Sequence, residues 1–372
     1  MKYYMIAGEA SGDLHGSNLV KQIKKRDAAA DLRCWGGDLM QGAGATLVKH
    51  YRELAFMGFA EVIKNIGTIF RNLSFCKSDI LSYQPDVIIL IDYPGFNLRI
   101  AKWAHKKGLK VVYYISPQIW AWKENRVKSI KTSVDKMLVI LPFEKDFYKK
   151  WNYEVEYTGH PLVSVIKEFK DSPLQNNFST KPIIALLPGS RKQEILKKLP
   201  VMLQASAAFP QYQFILAKAP GQEDEFYNEF LAGHSNVSSV RNQTYHLLSA
   251  ASAALVTSGT ATLEAALFGV PQIVCYKGSA ISYQIARRVI KVKYISLVNL
   301  IMDKEVVKEL IQDQMNEKNI IHELTQILNN EEKINEIKKD YAALNNILMQ
   351  DEDASSIAAA EIIRFLNEQA IS

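Results

Sequence analysis

The sequence of 372 residues has few cysteines and no long apolar run. Its three cysteines, Cys34, Cys76 and Cys275, lie far apart and form no C-x-x-C pair. This pattern argues against a disulfide framework and against a zinc site. No stretch reaches the roughly 18 apolar residues of a membrane-spanning helix, and Glu9 interrupts the apolar start too early for a signal peptide. We therefore expect a protein of a reducing compartment, either soluble or bound to a membrane surface.

Motifs of several common enzyme classes are also missing. The chain has no G-x-x-x-x-G-K-[ST] loop, no H-E-x-x-H and no G-x-S-x-G. These absences argue against hydrolysis of a nucleoside triphosphate, against a zinc protease and against a serine hydrolase. We expect neither a metal nor an organic cofactor.

The positive charge of the chain is concentrated in one segment. The formal net charge is +6, and residues 102–150 contain twelve Lys and Arg against four Asp and Glu. A local basic surface is typical of proteins that bind nucleic acid, an anionic membrane or a phosphorylated substrate. Composition alone does not choose among these three partners.

Apolar runs alternate with amphipathic stretches through most of the chain, which predicts parallel sheets covered by helices. Its length exceeds the roughly 250–300 residues at which single cores stop growing. Residues 170–181, rich in Ser, Asn and Lys, predict a linker. We predict an α/β protein with two Rossmann-like domains, residues 1–169 and 182–340, and a helical tail at residues 341–372. The pattern beyond residue 303 predicts only helices. The tail could pack back on the first domain.

Two loops in the first half are candidates for chemistry, because ligands of open α/β sheets bind beyond the carboxyl ends of the strands. Residues 8–13 (GEASGD) follow the first predicted strand and include Glu9 and Ser11. Asp92 ends the apolar run of residues 86–92 (DVIILID). A carboxylate there is well placed to act as a general base, but a helix-capping turn explains either loop as well.

A third loop, residues 116–122 (SPQIWAW), contains Gln118, Trp120 and Trp122. The two tryptophans could pack a corner of the fold. They could equally present flat faces to a sugar or an acyl chain. The sequence does not decide between these interpretations.

The second half contains two phosphate-type loops, residues 187–191 (LPGSR) and 257–264 (TSGTATLE). Glycine lets the backbone approach an anion, Ser190 offers a hydroxyl and Arg191 offers a planar fork of donors. Glu264, one turn inside the next predicted helix, could hold the two hydroxyls of a ribose, although a first-turn glutamate is also ordinary. Together the loops indicate an enzyme of nucleotide sugars.

An apolar segment at residues 56–73 is hydrophobic on more than one helical face. This pattern is typical either of a core helix or of an acyl-chain and membrane patch. The candidate patch residues are Phe56, Met57, Phe59, Ile63, Ile66 and Phe70.

Nine motifs, taken in order, resemble those of the lipid-A-disaccharide synthase family. The members of this family are glycosyltransferases of the GT-B fold. The resemblance covers the chain from about residue 3 to the helical tail. The motifs are residues 8–13, 55–58, 91–97, 116–122, 141–144, 159–161, 187–191, 258–264 and 294–300.

The resemblance implies a specific inverting reaction in lipid A biosynthesis. The donor would be UDP-2,3-diacylglucosamine and the acceptor 2,3-diacylglucosamine 1-phosphate. The products would be a β-1,6-linked disaccharide and UDP. It also implies a cytoplasmic enzyme held peripherally on the inner face of the inner membrane by anionic lipid, so nucleic acid is no longer needed to explain the basic segment. The oligomeric state is left open.

The resemblance also assigns roles to individual residues. Asp92 would be the base that deprotonates the acceptor hydroxyl, without a metal. The acceptor side of the cleft would include Glu9, Ser11, Gln118 and Trp120, and UDP would be held by Ser190, Arg191, Ser258, Gly259, Thr260, Glu264 and Asn299. The chain departs from the family pattern at Gly95, where many members carry aspartate, and at Asp303-Lys304, which replaces a usual Gly-Arg.

Two other functions compete with this interpretation. A non-hydrolysing UDP-sugar 2-epimerase would share the phosphate-type loops but gives no reason for the tryptophan corner or for the apolar segment. A nucleotide-binding module without chemistry would have no need of Asp92.

Overall fold

The computed structural model describes residues 1–53, 66–172, 178–279, 283 and 292–371. The chain divides into two compact units: unit 1 is Met1–Pro161 with Gln350–Ser372, and unit 2 is Leu162–Met349. Each unit contains one parallel sheet with helices between its strands. The prediction of two Rossmann-like α/β domains with a helical C-terminal segment is confirmed.

Unit 1 has a seven-stranded sheet in the order β3-β2-β1-β4-β5-β6-β7. The two central strands, β1 and β4, are apolar and almost wholly buried, as strands covered on both faces must be. The strands are β1 (Lys2–Ala7), β2 (Asp31–Gly36), β3 (Thr46–His50), β4 (Val87–Ile91), β5 (Val111–Tyr114), β6 (Lys136–Val139) and β7 (Glu156–Tyr157).

The helices of unit 1 bury one face each against this sheet or against one another. The first helices are α1 (Ala10–Arg26), α2 (Asp38–Gly42), α3 (Ile66–Tyr83) and α4 (Pro94–Lys106). They are followed by α5 (Ile119–Trp122), α6 (Arg126–Lys131) and α7 (Glu144–Lys149), and α8 (Pro161–Lys170) begins at the boundary between the units.

Unit 2 has a six-stranded sheet in the order β10-β9-β8-β11-β12-β13. Its strands are β8 (Ile183–Leu187), β9 (Gln213–Lys218), β10 (Val237–Arg241), β11 (Ala251–Thr257), β12 (Gln272–Tyr276) and β13 (Lys308–Ile311). Its helices after α8 are α9 (Lys192–Ser206), α10 (Glu225–Leu231), α11 (Thr244–Ala250), α12 (Thr260–Leu267), α13 (Leu297–Met302), α14 (Glu317–Asn329) and α15 (Glu331–Leu348).

The expectation that the chain is wholly helical beyond residue 303 is wrong, because β13 lies there. Leu310 of this strand and Val307 just before it are buried, and β13 pairs in parallel with β12. Lys308 and Glu309 interrupt the apolar pattern of this short strand. Glu309 is nevertheless buried, since it accepts hydrogen bonds from the main-chain N–H groups of the loop that leads into α13.

The last helix, α16 (Ala354–Ile371), belongs to unit 1 and packs along α1. Arg26 of α1 donates a hydrogen bond to the Ser356 hydroxyl at 2.8 Å. Lys136 at the start of β6 pairs with Glu361 at 2.6 Å. The chain therefore enters unit 2 after Pro161 and returns to unit 1 after Met349.

Each sheet has one point at which the strand order reverses direction. In unit 1 it lies between β1 and β4, whose last residues Ala7 and Ile91 are in register. In unit 2 it lies between β8 and β11, where Leu187 is paired with Val256. Crevices at such switch points are the usual ligand sites of open α/β sheets. The loops that follow these four strands are therefore the candidate ligand sites.

Candidate functional site

Asp92 follows β4 directly at the switch point of unit 1. Asp92 and Tyr93 have φ angles of 45° and 49°, in the left-handed region that residues other than glycine rarely occupy. Backbone conformations of this kind cost about 1–3 kcal/mol each and persist where surrounding contacts enforce them. The chain thus turns sharply between β4 and α4, and Asp92 lies at the turn.

Two buried side chains hold the main chain of Asp92 in this conformation. The Asn97 amide on α4 donates to the carbonyl oxygen of Asp92 at 2.8 Å and also approaches those of Ile91 and Ile6 at 3.2 and 3.3 Å. The Tyr113 hydroxyl on β5 donates to the same Asp92 oxygen at 2.5 Å. Helix α4 and strand β5 therefore fix the position from which the Asp92 carboxylate extends.

The Asp92 carboxyl is an unusually strong base for an aspartate. Burial, together with the nearby Glu9 carboxylate, raises its pKa to about 6, although a hydrogen bond from the Tyr93 main-chain N–H opposes the change. A carboxylate with this pKa is ionised at neutral pH and holds an abstracted proton better than an exposed aspartate does.

Residues 8–13 form the short connection after β1 and the first turn of α1, beside this carboxylate. A Cβ atom on Gly8 would overlap the ring of Tyr93, so glycine is required for the close approach of the two loops. Glu9 is half-buried, and Ser11 is exposed at the start of α1. Asp13 has a structural role, because its buried carboxylate accepts main-chain hydrogen bonds at the beginning of α2, from Gly37 and Met40 among others.

The structure separates the two tryptophans of the corner at residues 116–122. Trp120 is buried and its indole N–H donates to Glu144 at 3.2 Å, so it packs the corner. Burial raises the pKa of Glu144 to about 7. Trp122 is 48% exposed, with the Lys123 ammonium 4.0 Å from its ring centroid. Gln118 is exposed.

In unit 2, two loops with glycine in unusual conformations follow β8 and β11. We call residues 187–191 and 257–260 the glycine loops. Gly189 and Gly259 have φ angles of 115° and 146°, which L side chains rarely adopt. The second loop leads into α12, whose first N–H groups have no partners within the helix and attract anions. Short, exposed loops of this kind can accept the phosphates of a nucleotide.

The candidate side chains around the glycine loops differ in accessibility. Ser190 and Thr260 are exposed, and the side chain of Arg191 is 59% exposed. Ser258 is half-buried, and its hydroxyl donates to the Ile295 carbonyl at 2.7 Å. Burial raises the pKa of Glu264 to about 7, although a hydrogen bond from Tyr245 opposes the change.

Asn299 on α13 is fully buried, and its amide bonds are satisfied inside unit 2. Its Nδ2 donates to the Val307 carbonyl and to Glu309, and its Oδ1 accepts from the Val306 and Val307 N–H groups, all at 2.8–3.0 Å. These internal contacts explain why an asparagine stands at this position, without a bound ligand. A role of Asn299 in binding UDP stays a prediction.

Part of the apolar patch lies outside the described residues. This applies to Phe56, Met57, Phe59 and Ile63, and the side chain of Ile66 is not described either. Phe70 on α3 is 63% exposed. Leu73 on the same helix is buried in the core of unit 1, so the described part of α3 has both an inner and an outer apolar face.

Three residues with clear contacts to the candidate site were not found by sequence reasoning. Asn97 and Tyr113 donate hydrogen bonds to the main-chain carbonyl of Asp92. The buried Lys198 donates a hydrogen bond to Thr257 in the second glycine loop. The sequence carried one usable signal, an asparagine one turn into the helix that follows Asp92. The contact of Tyr113 depends on the pairing of β4 with β5, and the contact of Lys198 with Thr257 depends on the packing of α9 against β11, so neither could be predicted from a local pattern. Across the described ranges, no group of three His, Cys, Asp or Glu side chains is arranged to hold a metal.

Comparison with known proteins decides the family. The family model described as lipid-A-disaccharide synthetase matches residues 3–363. The chain belongs to the lipid-A-disaccharide synthase family. A lipid-A-disaccharide synthase of Syntrophus aciditrophicus (strain SB) is 40% identical over 354 residues, which covers 92% of each chain. The enzyme is therefore a glycosyltransferase of lipid A biosynthesis, and the resemblance found in the sequence is confirmed.

Solved structures agree on the fold of this lipid-A-disaccharide synthase family member. The UDP-GlcNAc 2-epimerase of Neisseria meningitidis matches with a TM-score of 0.69 at 12% identity, covering 99% of this chain and 100% of that one. The kitacinnamycin glycotransferase also matches with a TM-score of 0.69, at 13% identity, covering 98% of this chain and 99% of that one. These similarities confirm the GT-B fold. Within the described residues, no helix combines the length and the apolar character needed to cross a bilayer.

Proposed function

We propose that the enzyme transfers 2,3-diacylglucosamine from UDP-2,3-diacylglucosamine to the 6-hydroxyl of 2,3-diacylglucosamine 1-phosphate. The hydroxyl oxygen forms a bond to C1 of the donor sugar while the bond from C1 to the UDP oxygen breaks. The leaving electron pair stays on UDP, and the hydroxyl proton goes to a protein base. A single displacement of this kind on an α-linked donor gives a β-linked disaccharide with inversion.

The observation that carries this mechanism is the state of Asp92. Its carboxyl lies at the switch point of unit 1 and has a pKa of about 6. Its main-chain carbonyl is held by hydrogen bonds from Asn97 and Tyr113. Such a group is ionised at neutral pH and can accept the hydroxyl proton in the transition state. General-base catalysis of this kind typically contributes about 10²–10⁴-fold to the rate. Glu9 and Ser11 would line the acceptor side, with Gln118 and the Trp120 corner beyond them.

The glycine loops support binding of the UDP part of the donor to unit 2. Arg191 can pair with the diphosphate, and the free N–H groups at the start of α12 suit its negative charge. The same groups would stabilise the charge that develops on the leaving UDP, without a metal. Glu264, half-buried on α12, would accept hydrogen bonds from the ribose hydroxyls.

Acceptor-dependent release of UDP tests this reaction. The purified enzyme is incubated with UDP-2,3-diacylglucosamine, with and without 2,3-diacylglucosamine 1-phosphate, and UDP and the disaccharide are quantified. We expect one disaccharide for each UDP and no UDP without acceptor. UDP release without acceptor, or a C2 epimer of the donor, would support the epimerase interpretation and contradict ours. Binding of UDP without any turnover would support the nucleotide-binding module.

We also propose that unit 1 docks peripherally on the anionic inner face of the inner membrane. Phe70 and Phe75 of α3 are exposed, and so is Trp122, which has Lys123 over its ring. Exposed aromatic side chains beside basic groups are typical of interfacial contacts. Sedimentation with vesicles should therefore increase with the fraction of anionic lipid and decrease with salt. Binding that depends on neither would contradict this part of the proposal.

A further inference from the structure

One lysine of unit 2 is buried next to the glycine loops. The side chain of Lys198, one to two turns into α9, is 3% exposed. Lysine is almost never buried to this extent unless its charge is paired. Burial lowers the pKa of the Lys198 ammonium, and the Glu194 carboxylate opposes that change. The mechanism outlined above makes no use of this cation.

The contacts of Lys198 lie at the carboxyl edge of the sheet. Its Nζ donates a hydrogen bond to the hydroxyl of Thr257, the last residue of β11. The same atom is 3.8 Å from Glu194 Oε2 and 5.9 Å from the ring centroid of Tyr276, the last residue of β12. Lys198 thus connects α9 to the strand that carries the second glycine loop.

Glu194 extends this connection to the first glycine loop. Its Oε1 is 3.8 Å from the Arg191 guanidinium, whereas its Oε2 is the oxygen near Lys198. Its carboxylate also packs on Gly189, because a Cβ atom there would meet Glu194 Oε2. A carboxylate therefore lies against the loop that is expected to accept an anion, with one cation near each of its two oxygens.

This arrangement has an electrostatic consequence. When a diphosphate draws the exposed Arg191 towards itself, Glu194 loses one of its two cations. An uncompensated carboxylate would then repel the diphosphate, and the repulsion is strongest where water is excluded. Lys198 cannot follow the ligand, because it is buried and bonded to Thr257, so its charge stays with Glu194.

We propose that Lys198 is a positioning residue for the donor diphosphate, which acts by compensating the charge of Glu194 beneath the glycine loops. The proposal rests on the proposed function, since it requires a nucleoside diphosphate in unit 2. It assigns Lys198 no contact with substrate. It predicts that the contribution of Lys198 to binding depends on the phosphates of the ligand and on the charge of Glu194.

Calorimetric titration of the full-length protein with UDP and with uridine tests this assignment. Lys198→Met keeps the length of the side chain and removes the charge. In this variant the uncompensated Glu194 carboxylate should repel the diphosphate and weaken UDP binding about tenfold or more. Uridine has no phosphates, so its affinity should not change. The control is Lys136→Met, which removes a paired lysine of unit 1 and should leave both affinities unchanged.

A double variant separates charge compensation from a merely structural role. In Lys198→Met/Glu194→Gln no uncompensated carboxylate remains, so UDP affinity should recover relative to Lys198→Met. Glu194 is partly exposed, so the second substitution should be tolerated, and thermal unfolding checks the fold of each variant.

Three results would overturn the inference while leaving the proposed function intact. These are unchanged UDP affinity in Lys198→Met, an equal loss for UDP and uridine, and no recovery in the double variant. If the wild-type protein binds no UDP, the proposed donor site is wrong and the inference falls with it.

Discussion

The two sheets carry different charged groups at the same topological position, the switch point of the strand order. At the switch point of unit 1, Asp92 is half-buried near Glu9, and the pKa of its carboxyl is raised to about 6. At the switch point of unit 2, the loops carry the exposed Arg191 and the buried Lys198. The first arrangement favours uptake of a proton, and the second favours an anion. The same strand order thus supports different chemistry, because the residues after the strands differ.

The two edges also differ in how their groups are held. Asp92 is fixed through its main chain, by hydrogen bonds from Asn97 and Tyr113. Arg191 is held only by Glu194 among the ion pairs of the described residues, and it is 59% exposed. A base must be aligned with one proton, whereas a phosphate ligand can be met by a side chain that moves. We therefore expect substitutions in unit 1 to affect turnover and substitutions in unit 2 to affect UDP binding.

The largest effect expected from this comparison is that of Asp92→Asn. Asparagine cannot accept the hydroxyl proton, so kcat should fall by roughly 10²–10⁴-fold, with UDP affinity unchanged. The control is Asp86→Asn, at the opposite end of the same strand, where the side chain accepts a hydrogen bond from the Lys2 N–H. Disaccharide formation and UDP titration measure both quantities. A kcat near that of the wild type would remove Asp92 from the mechanism.

In unit 2, Glu264→Gln should weaken uridine binding about tenfold, because hydrogen bonds from the ribose hydroxyls to a carboxylate are lost. The pKa of Glu264 is about 7, so uridine affinity of the wild type should decline as pH falls through that value. The variant should lack this dependence, and uridine has no phosphate that titrates there. Glu305→Gln, at an exposed ion pair, is the control. An unchanged uridine affinity would contradict the role of Glu264.

A smaller effect is expected for Tyr113→Phe, which removes one of the two hydrogen bonds to the Asp92 carbonyl. We expect kcat to fall several-fold while KM for the donor is unchanged. Tyr153→Phe is a matched control, since its hydroxyl donates to the Val134 carbonyl away from the site. Each variant should lose about 1 kcal/mol of unfolding free energy. Equal kcat values in the two variants would show that Tyr113 has a purely structural role.

The fold could be predicted well from the sequence, because alternation and buried strands are local patterns. The run at residues 86–92 became β4, and the loops after β1, β4, β8 and β11 were found from the strands before them. The short edge strand β13 was missed, since its two charged residues hid the apolar pattern. Burial of the Glu309 carboxylate in this strand is a tertiary property.

The site could be predicted less completely. The neighbourhood of Glu9 and Asp92 depends on the pairing of β1 with β4, which are far apart in the sequence. At the tryptophan corner, the sequence could not show whether the rings pack the fold or face a ligand, because this depends on their burial. Trp120 is buried and packs the corner, whereas Trp122 is exposed. For Asn299, the sequence predicted a ligand contact, but the hydrogen bonds that its side chain makes inside unit 2 explain the asparagine without any ligand.

The most direct test of the central claim is the pH dependence of kcat/KM in the wild type and in Glu9→Gln. Asp92 must be ionised to act as a base, so the rate should fall as pH decreases through about 6. Removing the Glu9 charge lowers the pKa of Asp92, and the acid limb should move to lower pH. The acceptor phosphate also titrates near pH 6, but its pKa in solution is the same for both enzymes. An acid limb that stays at the same pH in Glu9→Gln would contradict the account.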